Sequence, residues 1–530
     1  MLVRARKAFP VLLFVMGILF LLYSWYISYP LSVDSVSDVL FNHIPASYWV
    51  GISLLLASSY VLAVSTKNST LKWVFSVGIV LTIYSLSYFY RFLPGSDSQF
   101  FRGLTEYSTR TGNLDPLVPN HGYFQWPSYF ILINAATSVS GLDLTNLEFL
   151  MYASIGLMLT TTLYVYASRA HKNGGIQAVA IFFIVGFYFL NYQLVPFSLA
   201  LVFFFVLLML ETRKKSLSMI VTILILFVGL SLTHAFVPLL FVLYLLIRCL
   251  LKGGKTFLGL FLLTSMIYLG TQITLARFAF ANNIRLVLAN PSEYSQMLET
   301  TLAPASIPLD VIAQYLSRIV TLTSVAMCGV GVFFLIIKRK MRELDTAVLV
   351  TGAVYSVLGI FLFALGSRAF MVVLIPASVG VAYLFGSRLK SYLTCVFLLI
   401  LLLFAFMPLH SSFFDSQIMF QTKEAYYAEN FMVDRYNWTR PSLVLSHFRV
   451  ETYLQTRQPN NANFENDFSI TFPRFEDYDA IVYTIGLGKN LLLYNYTAGS
   501  ILNYSNVNNI YDNGFSFIGV KSSNLSRTIG

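Results

Sequence analysis

Charge is what this 530-residue sequence has least of: 11% of its residues are Asp, Glu, Lys or Arg, against 57% hydrophobic and 16% aromatic. A soluble domain carries about 25% charged residues, so a water-soluble globule is excluded and the composition is that of a polytopic membrane protein. Cysteine is scarce too. Cys249, Cys328 and Cys395 are the only three; all lie in apolar runs and read as small core hydrophobes, with no disulfide framework and no Cys-x-x-Cys pair. A Walker-type phosphate loop, a Gly-x-Ser-x-Gly elbow and a His-Glu-x-x-His helix are missing as well. Acidic and basic residues within the spans are almost absent, which argues against an ion-coupled transporter or a proton relay.

The sign of the remaining charge carries information. The net charge is +11, yet from His410 to the end there are 9 Lys and Arg against 11 Asp and Glu. The basic excess therefore belongs to short loops in the apolar part, not to a nucleic-acid-binding face. A spanning helix needs about 20 predominantly apolar residues, somewhat fewer when its flanks snorkel. That places spans near Phe9–Tyr29, Tyr48–Ser65, Leu71–Tyr90, Leu147–Ser168, Ile176–Leu190, Leu194–Leu210 and Leu217–Leu232. Others follow near Ala235–Ile247, Phe257–Leu275, Ile319–Ile337, Ala347–Leu365, Ala369–Phe385 and Tyr392–Met407, thirteen in all. The first is too long for a signal-peptide core and lacks a small-residue cleavage site, so it is expected to be retained.

With the N-terminus (Arg4, Arg6, Lys7) cytoplasmic, every second loop collects Lys and Arg, and all seven basic clusters, out to Arg388 and Lys390, fall on that side. The run Ser128–Val139 is apolar but short, and reads as an interfacial or re-entrant helix. The expected organisation is a transmembrane domain over residues 1–409, with outer loops 91–146 and 277–318, and an extracytoplasmic domain over residues 410–530. In that tail "YDAIVYTIG" and "FSFIGVK" read as strands, and Asp512, Asn513 and Gly514 as a tight turn between two of them, giving a small mixed α/β domain. Sequons at Asn437, Asn495, Asn503 and Asn524 fit an exterior location.

Chemistry is therefore sought on the outer side. In "RFLPGSDSQFFRG" Asp97 stands where an apolar run leaves the bilayer, and a carboxylate there is costly unless hydrated, paired or used. It is either an acid with a function or the cap of a short surface helix. In that helix Arg102 and Glu106 form an i, i+4 pair, while Glu106 is about 180° round from Asp97, so the two acids make no dyad. The proline-broken stretch "DPLVPNHGYFQWPSYF" holds His121, Gln125 and Trp126. An aromatic belt at the interface accounts for Tyr123, Phe124 and Trp126, but not for His121 and Gln125. A hydrated His near an acid can assist proton transfer or bind phosphate. "LTHAFVP" puts His234 at the outer mouth of a helical hairpin, as a hydrogen-bonded core residue or as a functional one. "LGSRAFMVVLIP" puts Arg368 at an outer junction of two spans, where a guanidinium fork suits a phosphate. Arg277, Arg285 and Arg318 bracket the other outer loop and extend the same basic surface.

Taken in order, "PGSDSQFFRGLTEYSTRTGNLDP", "WPSYF", "LTHAFVPLL", "GSRAFMVVLIP" and "YDAIVY…NIYDNGF" resemble the GT-C superfamily of integral membrane glycosyltransferases, in particular archaeal members with a C-terminal exterior domain. The resemblance implies inverting transfer of a sugar from a polyprenyl (dolichyl)-phosphate-linked donor to a protein or lipid-linked glycan acceptor on the outer face. It implies Asp97 as general base, with Arg368 on the lipid phosphate and His234 and His121 lining the cavity by position. Arg102, Gln125, Trp126 and Arg318 are the further candidates for substrate and lipid-phosphate contact. Ser98 and Gln99 follow Asp97 where many members carry a second acid or a His; a divalent metal is thus left open, with no ligand cluster to support one. No Trp-Trp-Asp motif occurs in the tail. A scaffold or carrier for lipid-linked glycans, and a lipid-linked oligosaccharide polymerase or ligase, are the alternatives.

Overall fold

The computed structural model describes residues 2–29, 44–89, 96–116, 122–170, 175–190, 194–213, 216–277, 311–361, 366–386, 400, 402, 443–445, 480–484, 507–512 and 516–521. Among them are 14 α-helices: α1 (Leu2–Ser28), α2 (Ala46–Ser65), α3 (Ser69–Ile83), α4 (Ser96–Thr111), α5 (Ser128–Ser140), α6 (Leu144–Ala170) and α7 (Gly175–Leu190). Then come α8 (Pro196–Glu211), α9 (Leu217–Ser231), α10 (Val237–Lys252), α11 (Lys255–Thr274), α12 (Val311–Ile337), α13 (Glu343–Phe361) and α14 (Gly366–Gly386). The protein is a helical polytopic membrane protein. Twelve of the expected spans coincide with helices, and the thirteenth, Tyr392–Met407, lies almost wholly outside the described residues. Phe9–Ser28, Ala46–Ser65, Leu144–Arg169 and Lys255–Thr274 are each long and apolar enough to cross a bilayer.

Burial follows composition. Helix α7 is apolar on every side, and residues 176–185 are all buried, as expected for a helix at the centre of a bundle. Helices α1 and α11 instead expose Phe9, Leu12, Leu19, Leu22, Leu262, Met266 and Ile273, the surface a lipid-facing helix presents. Helix α14 packs on α7, α12 and α13. The contact with α12 is glycine on glycine: a Cβ on Gly331 would lie 2.5 Å from Val381 N, and one on Gly380 would lie 2.5 Å from Gly331 C.

Hydrogen bonds identify the two ends of the bundle. At one, Tyr164 reaches the Ser69 carbonyl (3.3 Å) and Arg169 reaches Thr212 Oγ1 (2.7 Å). There Arg248 bonds Glu211 and Glu343 (both 3.4 Å), and Asp345 accepts from Tyr166 (2.6 Å) and Arg342 (2.7 and 2.8 Å). These contacts gather into one place the basic loops before α3, after α6, after α8, after α10 and before α13.

At the opposite end lie α4 and α5. Helix α5 has 13 residues, about 20 Å of helix, too short for a hydrocarbon core of about 30 Å. Gly141 ends it in the left-handed region at φ 67°, a conformation open to glycine.

In the tail four strands form one sheet in the order β1 (Leu443–Leu445), β2 (Ala480–Thr484), β4 (Ser516–Lys521), β3 (Val507–Asp512). Strand β1 runs parallel to β2, while β2–β4 and β3–β4 are antiparallel. Both expected strands are present, and β3 and β4 pair as the expected turn requires. Asn513 and Gly514 and all four sequons lie outside the described residues.

Candidate active site

Asp97 is in the first turn of α4; its side chain lies outside the described residues, so contact and cap are both untouched. What the structure shows is how α4 is held. The expected Arg102–Glu106 pair forms (Nε to Oε1, 2.9 Å), and the same guanidinium reaches Glu148 (Nη1 to Oε2, 3.1 Å) and Thr145 (Nη2 to Oγ1, 2.9 Å) at the start of α6. Arg102 and Glu148 are both buried. One planar fork, braced by Glu106 on its own helix, thus ties α4 to α6 through the Glu148 carboxylate and the Thr145 hydroxyl.

The other face of α4 rests on α5 and the 3-10 turn Gly122–Gln125. Asn134 accepts from Thr109 (2.7 Å) and donates to Ser108 (3.0 Å). Phe101 lies 4.8 Å from Tyr123, centroid to centroid, and Phe124 lies 4.8 Å from Phe130. This corrects the belt reading for two of its three residues: Phe124 and Trp126 are buried, together with Tyr129 and Phe130, in the space between α4 and the bundle, while Tyr123 is exposed. Gln125 is buried with them. His121 lies outside the described residues.

Helix α5 is in turn fixed to the bundle. Ser128 N–H donates to the Leu232 carbonyl (3.0 Å) and Tyr129 Oη donates to the Leu194 carbonyl (3.2 Å), so α5 reaches the end of α9 and the residues before α8. Just beyond Leu232, His234 is buried between α9 and α10, with the Phe197 ring 5.5 Å away in edge contact. Its Nδ1 accepts the Phe236 N–H at 3.1 Å. That bond requires the Nδ1 lone pair, so the neutral ring carries its proton on Nε2. Tyr355 of α13 closes the corner by donating to the Phe236 carbonyl at 3.5 Å.

Arg368 falls in the first turn of α14 and Arg318 in the first half of α12; both side chains lie outside the described residues. By chain direction both positions belong to the end that carries α4, because α12 leads into, and α13 starts from, the Arg342–Asp345 end. Arg277, after α11, is exposed, and Arg285 lies outside the described residues. Among the described residues no three His, Cys, Asp or Glu side chains converge as a metal site would require.

Glu148, Thr145, Asn134 and Tyr355 complete this corner without having been singled out in the sequence. Glu148 had a signal, because a lone carboxylate in an apolar helix demands a partner.

No protein-family model matches the chain, and a search of curated proteins finds no match. Solved structures do match. The oligosaccharyltransferase of Archaeoglobus fulgidus superposes with a TM-score of 0.50 at 10% identity, covering 86% of this chain and 75% of that one. ArnT from Cupriavidus metallidurans gives 0.49 at 10% identity, covering 85% and 98%. The fold assignment rests on the first of these: the chain shares the fold of that oligosaccharyltransferase.

Proposed function

We propose that the protein is a membrane glycosyltransferase that moves a sugar from a polyprenyl-phosphate-linked donor to a protein or lipid-linked glycan acceptor. The observation that carries the reading is the clamping of α4, with Asp97 in its first turn, over the same end of the bundle as His234. The fold it shares with an oligosaccharyltransferase agrees with this. The basic loops meet at the other end, and the positive-inside rule assigns that end to the cytoplasm. Transfer then takes place on the outer face, and the tail domain over residues 410–530 is extracytoplasmic.

In this mechanism the Asp97 carboxylate takes the proton of the acceptor nucleophile as that atom attacks the anomeric carbon. The bond from anomeric carbon to phosphate oxygen breaks in the same displacement, the configuration inverts, and polyprenyl phosphate leaves. Its charge is met by Arg368, whose fork suits a phosphate. His234, protonated on Nε2, serves as a hydrogen-bond donor rather than a base. Gln125, Trp126 and Arg318 are assigned to head-group contact and His121 to the cavity wall. Arg102 is reassigned. With Glu106, Glu148 and Thr145 around its fork it positions α4, and the phosphate role expected for it passes to Arg368.

The test is mass spectrometry of exported glycoproteins and glycolipids from cells carrying wild-type or Asp97→Asn protein at matched membrane levels. Loss of one sugar increment in the mutant is the expected result. An unchanged profile, in a host without a redundant enzyme, would return Asp97 to the role of helix cap and favour a carrier.

A further inference from the structure

Trp126 stands two residues before Ser128, whose bond to Leu232 pins α5 to the bundle. Its backbone N–H is bonded to the Tyr123 carbonyl at 3.0 Å, and its ring meets the Tyr123 ring at 5.9 Å. The side chain is 6% exposed, yet among the described residues its indole nitrogen has no hydrogen-bond partner. An indole N–H can only donate, and a buried donor left unmet is destabilising. Phenylalanine would pack against Tyr123 without that cost. The residue just before Leu232 repeats the pattern, since Ser231 is fully buried and its hydroxyl is also without a partner among the described residues. Two unmet polar groups thus flank one backbone hydrogen bond, at the end of the bundle that carries α4.

We infer that the Trp126 indole N–H donates to an oxygen of a bound glycosyl phosphate head group, an inference that rests on the function proposed above. A polyprenyl chain has no acceptor for it. The head group offers two, phosphate oxygens and sugar hydroxyls, and either satisfies the indole while fixing the head group beside His234. Trp126 is then a substrate-orienting residue, and its ring and its N–H have separate tasks: the ring packs against Tyr123, the N–H meets the ligand.

The experiment titrates purified full-length protein in detergent with two probes, undecaprenyl phosphate and undecaprenyl phosphoryl glucose, in wild type and Trp126→Phe. The variant keeps a ring and loses the donor. Affinity should fall about tenfold, the value of one ligand hydrogen bond, while the melting temperature holds or rises because no protein hydrogen bond is lost. Weakening toward both probes places the N–H on the phosphate; weakening toward the glycosylated probe alone places it on the sugar. Should the phenylalanine variant not fold, benzothienylalanine at this position exchanges the N–H for sulfur in a ring of the same shape. Unchanged affinity for both probes overturns the inference, as does a lowered melting temperature with affinity intact. A wild type that binds neither probe overturns the proposed function itself, and that failure is recognisable because it does not depend on the variant.

Discussion

The N–H of Ser128 and the carbonyl of Leu232 meet at 3.0 Å, and through that bond the short helix α5 is fixed to the junction of two bundle helices. On one side of it stand Gln125 and Trp126, on the other Thr233 and His234. Residues more than a hundred positions apart thereby share a corner, and α4 is laid over that corner by the Arg102 clamp. The clamp, the tautomer, the orientation and the α12–α14 crossing can each be tested.

Arg102 separates a positioning role from a ligand contact. Arg102→Ala leaves buried Glu148 without its cation, and breaking a buried ion pair costs about 3–5 kcal/mol. The variant should melt at a lower temperature and lose activity. Adding Glu148→Gln removes the stranded charge and should restore part of the stability. If Arg102→Ala melts like wild type and only donor affinity falls, the arginine is a phosphate ligand after all.

His234 should act through Nε2. Its Nδ1 is committed to the Phe236 N–H, so a glutamine, whose amide N–H reaches about as far as Nε2–H, should keep more activity than asparagine or alanine. His234→Ala is expected to lower turnover about a hundredfold, the scale for loss of one charge-stabilising donor, without unfolding the protein. Full activity in the alanine variant would make His234 a packing residue only.

How much of this was legible in the sequence depended on whether a contact is local. The helices follow from apolar runs, the Arg102–Glu106 pair from i, i+4 spacing, and the β3–β4 pairing from alternation around Asp512. The grouping of the basic loops at one end follows from their alternation along the chain. The second carboxylate of the clamp does not, because Glu148 is 46 positions from Arg102 and only folding joins them. Phe124 and Trp126 were misassigned to a belt for a related reason. A belt and a packing layer have the same composition, and the difference is whether another helix lies on top.

Orientation can be read chemically. Asn113 follows α4 and Lys340 precedes α13, and both are exposed, at opposite ends of the bundle. In intact cells a membrane-impermeant maleimide should label Asn113→Cys, and should label Lys340→Cys only after permeabilisation. The reverse pattern would place α4 on the cytoplasmic face and remove the outer-face reading.

The crossing of α12 and α14 gives a paired test within a single turn of helix. Gly329 and Gly331 are both on α12, but a Cβ at Gly329 meets nothing within 4 Å, whereas one at Gly331 lies 2.5 Å from the backbone of Val381. Backbone cannot rotate aside as a side chain can, so Gly331→Ala must push the helices apart, at a cost of about 1–3 kcal/mol for overpacking. Gly329→Ala should be neutral or stabilising by up to about 1 kcal/mol, since alanine restricts the unfolded chain and favours helix. Because Arg368 is in the first turn of α14, displacing that helix should also weaken binding of undecaprenyl phosphate in Gly331→Ala and leave it unchanged in Gly329→Ala. Equal melting temperatures for the two variants would mean that the helices do not cross at Gly331 and Gly380.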